Sequence, residues 1–134
     1  IDEADGTKWI AVVENEDRHD VTFTAIDHCI TIIRPDGKPA KRCDGVLTHN
    51  ATVIFVELKQ RGALGNKWVT DAEEQLRTTI RYFENEDDAE QFTNKQAYIA
   101  NSEHPKFKES QMRRMDQFLT DTGYLLRVVN RIKL

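Results

Sequence analysis

Apolar residues in the first half of the chain fall into three short runs that are typical of β-strands. Val21–Ile33 is dense in β-branched and aromatic residues and ends before residues 35–37, Pro-Asp-Gly, a turn in which proline presets φ and glycine supplies a positive φ. Lys41–Leu47 is a second run, and it ends at the polar residues 48–50. Ala51–Lys59 is apolar on both faces over its first half, as in a buried central strand. The three runs predict a β-meander.

The second half of the chain alternates between helical and strand patterns. A first helix is predicted by an apolar stripe at i, i+4, i+8 and i+11, and its start by a capping-box signature at residues 70–71. Residues 112–119 predict a second helix, which Gly123 ends. Lys95–Ser102 and Tyr124–Lys133 predict a fourth and a fifth strand. The stripe of the first helix consists of Ala72, Leu76, Ile80 and Phe83.

These elements predict an α/β fold of order βββαβαβ, with a mixed central sheet of about five strands flanked by helices. A helix around residues 8–14 can precede them. The 134 residues contain no repeat and no linker rich in Gly, Pro or Ser, so residues 1–134 are expected to form a single domain. Since the sequence begins with Ile1, an N-terminal element of this domain can be truncated.

Composition argues against several classes of protein. The chain is 39% hydrophobic and 31% charged with only 6 Gly and 3 Pro, which is typical of an ordinary globular protein and not of a disordered or collagen-like one. No apolar run approaches the roughly 18 residues that a membrane-spanning helix needs, so no membrane partner is expected. Cys29 and Cys43 are too few for a disulfide scaffold and lack the spacing of a zinc site, which favours buried, reduced cysteines and a cytoplasmic location.

Charge is distributed unevenly along the chain, although the formal net charge is only -4. Residues 1–33 carry eight acidic and two basic side chains, whereas residues 106–134 carry seven basic and three acidic ones. This asymmetry permits a basic face that steers a polyanion, and it is equally compatible with two solvated surfaces. The basic residues expected to bind a nucleic acid are Arg61, Lys67, Lys106, Lys108, Arg113 and Arg114.

Candidate chemistry is concentrated on two neighbouring strands of the meander. Asp44 lies at the start of one strand, and Glu57 and Lys59 lie two residues apart at the end of the next. Side chains at i and i+2 of a strand point to the same face, so Glu57 and Lys59 project together while Leu58 points away and leaves its carbonyl nearby. Two hard carboxylate ligands suit Mg²⁺, and a lysine beside them can orient or activate a water molecule.

This arrangement resembles the PD-(D/E)XK nuclease superfamily, whose core carries an acidic residue on a meander, then (D/E)-x-K, then a helix. The matching residues are Cys43-Asp44, twelve intervening residues, Glu57-Leu58-Lys59, and then Ala72-x-x-Gln75-Leu76. The resemblance covers residues 20–134 in element order and implies a restriction-endonuclease-like core, Mg²⁺ or Mn²⁺ as cofactor, and DNA as the nucleic-acid partner. It also implies catalytic roles for Asp44, Glu57, Lys59 and Gln75, with Asp44, Glu57 and the carbonyl of Leu58 as metal ligands.

Two features depart from the superfamily pattern. Cys43 stands where the motif has proline, and the helix that often supplies another acid before the meander is not evident. Glu14 and Glu16 are candidates for that acid, and Asp27 on the first predicted strand is a rival. Two histidines near the motif, His28 and His49, are expected to be structural, the second in the hairpin turn.

The sequence thus predicts a Mg²⁺-dependent nuclease that hydrolyses phosphodiester bonds, with DNA as its expected partner. The alternative is a protein of the same fold without turnover, which binds another protein as an immunity-type or regulatory module. The two readings differ in whether Asp44 comes within reach of Glu57. One site of this kind cuts one strand, so double-strand cleavage would need a homodimer or a larger parent chain.

Overall fold

The computed structural model describes residues 9–27, 31–59, 67–101 and 109–134 of the chain. Within them lie a five-stranded sheet, a separate two-stranded sheet, two α-helices and one 3₁₀ helix. In chain order the elements are β1 (Val12–Glu14), β2 (Thr22–Ala25), β3 (Gly45–His49), β4 (Thr52–Lys59), α1 (Lys67–Glu84), the 3₁₀ helix (Asp87–Gln91), β5 (Asn94–Asn101), α2 (Glu109–Thr122), β6 (Leu125–Arg127) and β7 (Arg131–Lys133).

The five-stranded sheet has the order β2-β3-β4-β5-β6, which places β4 at its centre. Strands β2, β3 and β4 are antiparallel, as a meander requires, whereas β4, β5 and β6 are parallel because α1 and α2 carry the chain back between them. The mixed sheet with flanking helices that the sequence predicts is therefore confirmed. No helix among the described residues is long and apolar enough to cross a membrane.

Alternate residues of β4 face two separate hydrophobic clusters. Val53 and Phe55 pack in the cluster that includes α1 and α2, whereas Ile54 and Val56 pack in a smaller cluster with Ile132 of β7. A strand buried on both faces has no solvent-facing row, which explains why its sequence is an unbroken apolar run. The alternation also fixes the face on which the polar end of the strand emerges.

Helix α1 confirms the predicted apolar stripe. Three of the four residues of the stripe are buried, and the fourth, Phe83, is half-buried and packs against the same cluster. The predicted cap at residues 70–71 is wrong, because the helix already includes Lys67. Trp68 and Val69 are buried against the sheet, so packing extends the helix ahead of the capping signature. The buried members of the stripe are Ala72, Leu76 and Ile80.

Helix α2 is confirmed in position, and Gly123 ends it at a φ of +78° with its N–H bonded to the carbonyl of Leu119. Phe118 is fully buried in the core. Of the three residues from which the helix was predicted, Met115 packs against the core, whereas Met112 and Leu119 are about half exposed, so the packing face agrees with the expected one only in part.

Both ends of the chain differ from the prediction. The helix expected around residues 8–14 is wrong over its described part, because β1 is a strand that pairs in parallel with β7, Val13 opposite Ile132. The single fifth strand expected over residues 124–133 divides into β6 and β7, which belong to different sheets. The partner that makes residues 12–14 a strand lies near the other end of the chain, and no local pattern contains it.

The meander strands have shorter bounds than predicted. In the described part of the first predicted strand, β2 is followed by a turn at Asp27, and residues 28–30 lie outside the described residues. Ile33 forms an isolated bridge to Pro39 around the predicted turn, where Gly37 has a φ of +83°. The second strand, β3, begins at Gly45 and continues through His49. The hairpin turn is therefore Asn50-Ala51, and Asn50 takes the positive φ of 48° that asparagine tolerates.

Candidate functional site

The polar end of β4 places Glu57 and Lys59 on one face of the sheet. They continue the row of Val53 and Phe55, so they emerge on the side covered by α1, while Leu58 packs against the opposite cluster, as predicted. Glu57 is almost fully buried, with a side chain 4% exposed, and Lys59 Nζ lies 3.1 Å from its Oε1. A carboxylate and an ammonium are thus held side by side below the protein surface.

Gln75 on α1 completes the first side of this cluster. Lys59 Nζ donates a hydrogen bond to Gln75 Oε1 at 2.8 Å, and Gln75 Nε2 donates to the carbonyl of Arg42 at 3.4 Å. One turn further along the helix, Thr79 Oγ1 accepts a hydrogen bond from the N–H of Cys43 at 2.9 Å and donates to the carbonyl of Gln75. These bonds fix α1 against the segment that leads into β3.

Asp44 enters the cluster from the residue that precedes β3. Its N–H donates to the carbonyl of Val56 at 3.1 Å, and its Oδ2 accepts a hydrogen bond from the N–H of Leu58 at 2.6 Å. The side chain therefore lies against the backbone on the C-terminal side of Glu57. The structure brings together Asp44, Glu57, Lys59 and Gln75, the four residues to which the sequence assigned catalysis.

The carboxyl groups of Asp44 and Glu57 are close enough for each to affect the acidity of the other. Burial raises the pKa of Glu57 to about 7, and the charge of Asp44 adds to this, while Lys59 opposes it. Burial also raises the pKa of Asp44, and hydrogen bonding from Leu58 opposes that shift. Glu57 Oε2 is buried and has no hydrogen-bond partner among the described residues. An uncompensated carboxylate oxygen of this kind favours either a bound proton or a cation.

Asp27 lies beside this pair, whereas Glu14 does not join it. The N–H groups of Ile26 and Asp27 donate to the carbonyl of Asp44 at 2.9 and 3.3 Å, and the charge of Asp27 contributes to the raised pKa of Asp44. Glu14 instead accepts a hydrogen bond from Arg131 at 2.7 Å in the two-stranded sheet. Of the additional acids proposed from the sequence, the geometry places Asp27 at the cluster.

The donor set agrees in part with a divalent metal. Asp44 and Glu57 offer two carboxylates, and the unpartnered Glu57 Oε2 would gain a ligand role that it lacks in the protein alone. Within residues 9–27, 31–59, 67–101 and 109–134, no group of three or more His, Cys, Asp or Glu side chains is arranged to hold a metal ion. Two carboxylates with water and substrate oxygens are a donor set that Mg²⁺ uses, so the residues fit that metal and not a closed all-protein site.

Three of the six basic residues expected to contact a nucleic acid lie among the described residues. Lys67 is highly exposed, with Asp71 at 3.8 Å, and Arg113 is exposed on α2. Arg114 is paired with Glu73 and so joins α2 to α1 within the protein. Three of the predicted residues lie outside the described ranges: Arg61, Lys106 and Lys108.

The histidines and cysteines of the sequence are separate from the cluster or structural. The expectation that His49 lies in the hairpin turn is wrong, because it is the last residue of β3 and pairs with Thr52. It lies at the end of β3 away from Asp44 and stacks on His19 with ring centroids 4.7 Å apart. Cys43 is buried as expected, and burial raises the pKa of its thiol to about 12, so it is a protonated core residue. His28 and Cys29 lie outside the described residues.

Sequence reasoning assigned no role to Arg42 or Thr79, although both contact the cluster. Thr79 lies four residues after Gln75 and therefore on the same helical face, a spacing that could have indicated it. Arg42 lies two residues before Asp44, where its ion pair with Asp27 depends on the tertiary approach of β2.

Comparisons with protein-family models, with curated proteins and with solved structures found no match. The interpretation of this cluster therefore depends on its own geometry.

Proposed function

We propose that this chain is a metal-dependent nuclease that hydrolyses phosphodiester bonds, with DNA as substrate and Mg²⁺ or Mn²⁺ as cofactor. The observation that carries the proposal is the convergence of Asp44, Glu57 and Lys59 at the end of the central strand, with one buried Glu57 oxygen left without a partner. Carboxylates with raised pKa values beside a lysine are unusual in a purely structural role, because burying them is costly unless another group compensates them.

Each residue of the cluster has a definable task in such a reaction. Asp44 and Glu57 would hold the divalent ion, which when bound polarises the phosphoryl oxygen and lowers the pKa of a ligated water. Lys59, held on one side by Glu57 and on the other by Gln75, is positioned to orient the attacking water and to offset negative charge as it develops. Gln75 touches Lys59 through its carbonyl and so orients the ammonium.

The topology supports a restriction-endonuclease-like core for this nuclease. An antiparallel meander carries Asp44 and then Glu57-Leu58-Lys59, and the next element is a helix whose Gln75 faces the cluster. Glu57, Leu58 and Lys59 are the last three residues of β4, and exposure increases along them from the buried Glu57 to the half-buried Leu58 and Lys59. In this proposal a phosphodiester backbone approaches the cluster from the Lys59 end of β4, which is the less buried end.

Cleavage assays with matched variants test the proposal. Supercoiled plasmid and a labelled single-stranded oligonucleotide should be cut in Mg²⁺ or Mn²⁺ and left intact in EDTA or Ca²⁺, because Ca²⁺ is larger and coordinates loosely. Glu57→Gln and Lys59→Ala should abolish cleavage, whereas the exposed controls Glu90→Gln and Lys133→Ala should retain it. Metal-independent cleavage, or equal activity of the Glu57→Gln and Glu90→Gln variants, would contradict the proposal.

One observation favours a second candidate, a nuclease-fold protein that binds another protein without turnover. Lys59 is already paired with Glu57, and Asp44 is already bonded to the N–H of Leu58, so each charged group has a partner inside the protein. In that case the cluster stabilises the sheet end and Mg²⁺ adds nothing. Isothermal titration with Mg²⁺ separates the two candidates. The nuclease should show a heat of metal binding that Glu57→Gln removes, whereas the binding module should show none.

A further inference from the structure

A second cation lies next to the carboxylate cluster and is incompletely satisfied. The side chain of Arg42 is only 14% exposed, and its Nη2 lies 3.5 Å from Asp27 Oδ1, longer than the roughly 2.7–2.9 Å of a charge-assisted hydrogen bond. Its Nε is buried without a hydrogen-bond partner among the described residues. A guanidinium that leaves a donor unpaired below the surface costs free energy, and such a group needs an explanation.

The position of Arg42 ties it to the residues of the proposed reaction. It precedes Asp44 by two residues, a distance of at most about 7 Å along an extended chain. Its carbonyl accepts a hydrogen bond from Gln75, the residue that also holds Lys59. Its partner Asp27 is bonded through its N–H to the carbonyl of Asp44. Hydrogen bonds therefore connect Arg42 and its partner Asp27 to the residues of the cluster.

Charge balance gives this guanidinium a task. The described cluster contains three carboxyl groups, on Asp27, Asp44 and Glu57, and one ammonium, on Lys59, so without a further cation its excess negative charge opposes the approach of a phosphodiester. Lys59 is engaged by Glu57 and Gln75. Among the described residues, Arg42 has a long contact to Asp27 through one nitrogen and an Nε without a hydrogen-bond partner, whereas a guanidinium can offer two parallel donors to two oxygens of one phosphate.

We infer that Arg42 is the phosphate-binding residue of this site, which grips a phosphate of the nucleic-acid strand next to the metal-binding carboxylates. Asp27 orients the guanidinium and competes with the phosphate for it. This inference rests on the proposed nuclease function, because it takes the ligand to be a phosphodiester. It adds a residue that binds the strand whether or not a bond is cut.

Binding measured without turnover tests the inference. The probe is a fluorescein-labelled single-stranded DNA oligonucleotide, followed by fluorescence anisotropy in EDTA and again in Ca²⁺. Arg42→Gln should weaken binding about tenfold, and Arg42→Lys should be intermediate, because lysine keeps the charge but not the paired donors. The matched control is Arg34→Gln, which removes an exposed arginine that also pairs with an aspartate, Asp36, and should change binding less than about twofold.

Asp27→Asn keeps the inference testable even if Arg42→Gln is poorly folded. It leaves Arg42 in place and removes its competitor, so DNA binding should tighten severalfold while the melting temperature falls. A purely structural ion pair predicts no such opposite changes in affinity: both variants would lose stability and bind DNA as Arg34→Gln does, and that result would overturn the inference. Mg²⁺-dependent cleavage by wild-type protein with an unchanged KM in Arg42→Lys would overturn the inference alone, whereas DNA binding that depends on Arg42 without any cleavage would overturn the proposed function alone.

Discussion

Two glutamates of this protein each pair with a lysine, and their surroundings shift their acidity in opposite directions. Glu57 has a side chain 4% exposed, and its burial and the charge of Asp44 raise its pKa to about 7 despite Lys59 at 3.1 Å. Burial also acts to raise the pKa of Glu84, but hydrogen bonds from Lys95 and Tyr124 and the charge of Lys95 outweigh it, so its pKa lies below the usual range.

The difference between the two sites is the number of donors and the presence of a like charge. Glu84 is 34% exposed and accepts from Lys95 at 2.6 Å and from the Tyr124 hydroxyl at 2.7 Å. Glu57 has a single cationic partner and a small opposing contribution from the backbone of Asp44, but a second carboxylate lies beside it and its Oε2 has no hydrogen-bond partner among the described residues. A lysine alone therefore does not make a carboxylate stable in its charged form. The charged form of the carboxyl group is destabilised at the end of β4 and stabilised at the end of α1.

The largest expected contrast is in catalysis. Lys59→Ala should reduce Mg²⁺-dependent cleavage by about 100- to 1000-fold, because an ammonium that stabilises developing charge is worth that much when removed. Lys95→Ala makes the same chemical change at the Glu84 site and should leave the cleavage rate unchanged while lowering stability. Single-turnover cleavage of a labelled oligonucleotide measures both. Equal rates for the two variants would remove Lys59 from the mechanism.

The next contrast is in the pH dependence of stability. The folded pKa of Glu57 lies above its unfolded value of 4.5. The contribution of the protonated Glu57 to the free energy of unfolding is therefore fully present below pH 4.5 and is lost as the pH rises through about 7. At pH 8 the loss is about 3 kcal/mol, at 1.36 kcal/mol for each pKa unit. Glu57→Gln removes the titration and should be more stable than wild type at pH 8 and nearly equal at pH 4.5.

Glu84→Gln is the opposite control for that measurement. Its folded pKa lies below the unfolded value, so its stabilisation is present above pH 4.5 and is lost as the pH falls through the folded pKa. The Gln variant should therefore be less stable than wild type at pH 8. Urea unfolding of the three metal-free proteins at pH 4.5 and pH 8 gives both signs. A Glu57→Gln protein that is less stable than wild type at pH 8 would contradict the conclusion that the charged form of Glu57 destabilises the fold.

Sequence pattern was sufficient for the parts of the fold in which local order decides the structure. The apolar run of β4, the stripe of α1 and the turn at Gly37 are properties of neighbouring residues, and all three are found as predicted. β1 was missed because its three residues pair with β7 near the other end of the chain. The start of α1 was misplaced because burial of Trp68 extends the helix before its capping signature.

The candidate site divides in the same way. Glu57 and Lys59 share a face because strand geometry requires it, and the spacing alone predicted this. That Asp44 would lie beside Glu57 depended on the register of β3 with β4, which the resemblance supplied and the spacing did not. Arg42 could not be assigned from the sequence, because its contact with Asp27 exists only once β2 and β3 are paired.

Metal binding should sharpen the comparison at a smaller scale. At pH 8, Mg²⁺ at ten times its dissociation constant should raise stability by about 1.4 kcal/mol, because only the folded protein presents the paired carboxylates. At pH 5.5 the proton on Glu57 competes with the metal, so the same Mg²⁺ concentration should stabilise much less. Thermal unfolding with and without Mg²⁺ measures this, and Glu84→Gln should keep the full effect. A pH-independent Mg²⁺ effect, or one that survives Glu57→Gln, would place the ion elsewhere.

The smallest effect concerns the side-chain hydroxyl that donates to Glu84 and has no counterpart at Glu57 among the described residues. Tyr124 is fully buried, and its hydroxyl donates to Glu84, so Tyr124→Phe should cost about 1 kcal/mol, the ordinary value of one hydrogen bond, since water can replace it at a partly exposed carboxylate. The pKa of Glu84 should rise toward its usual value, which NMR titration of the carboxyl carbon detects. Tyr82→Phe, at a half-exposed tyrosine on the same helix as Glu84, is the control and should change neither quantity. If Tyr124→Phe leaves the pKa of Glu84 where it was, the lysine alone accounts for that site, and the absence of a second donor no longer explains why Glu57 is different.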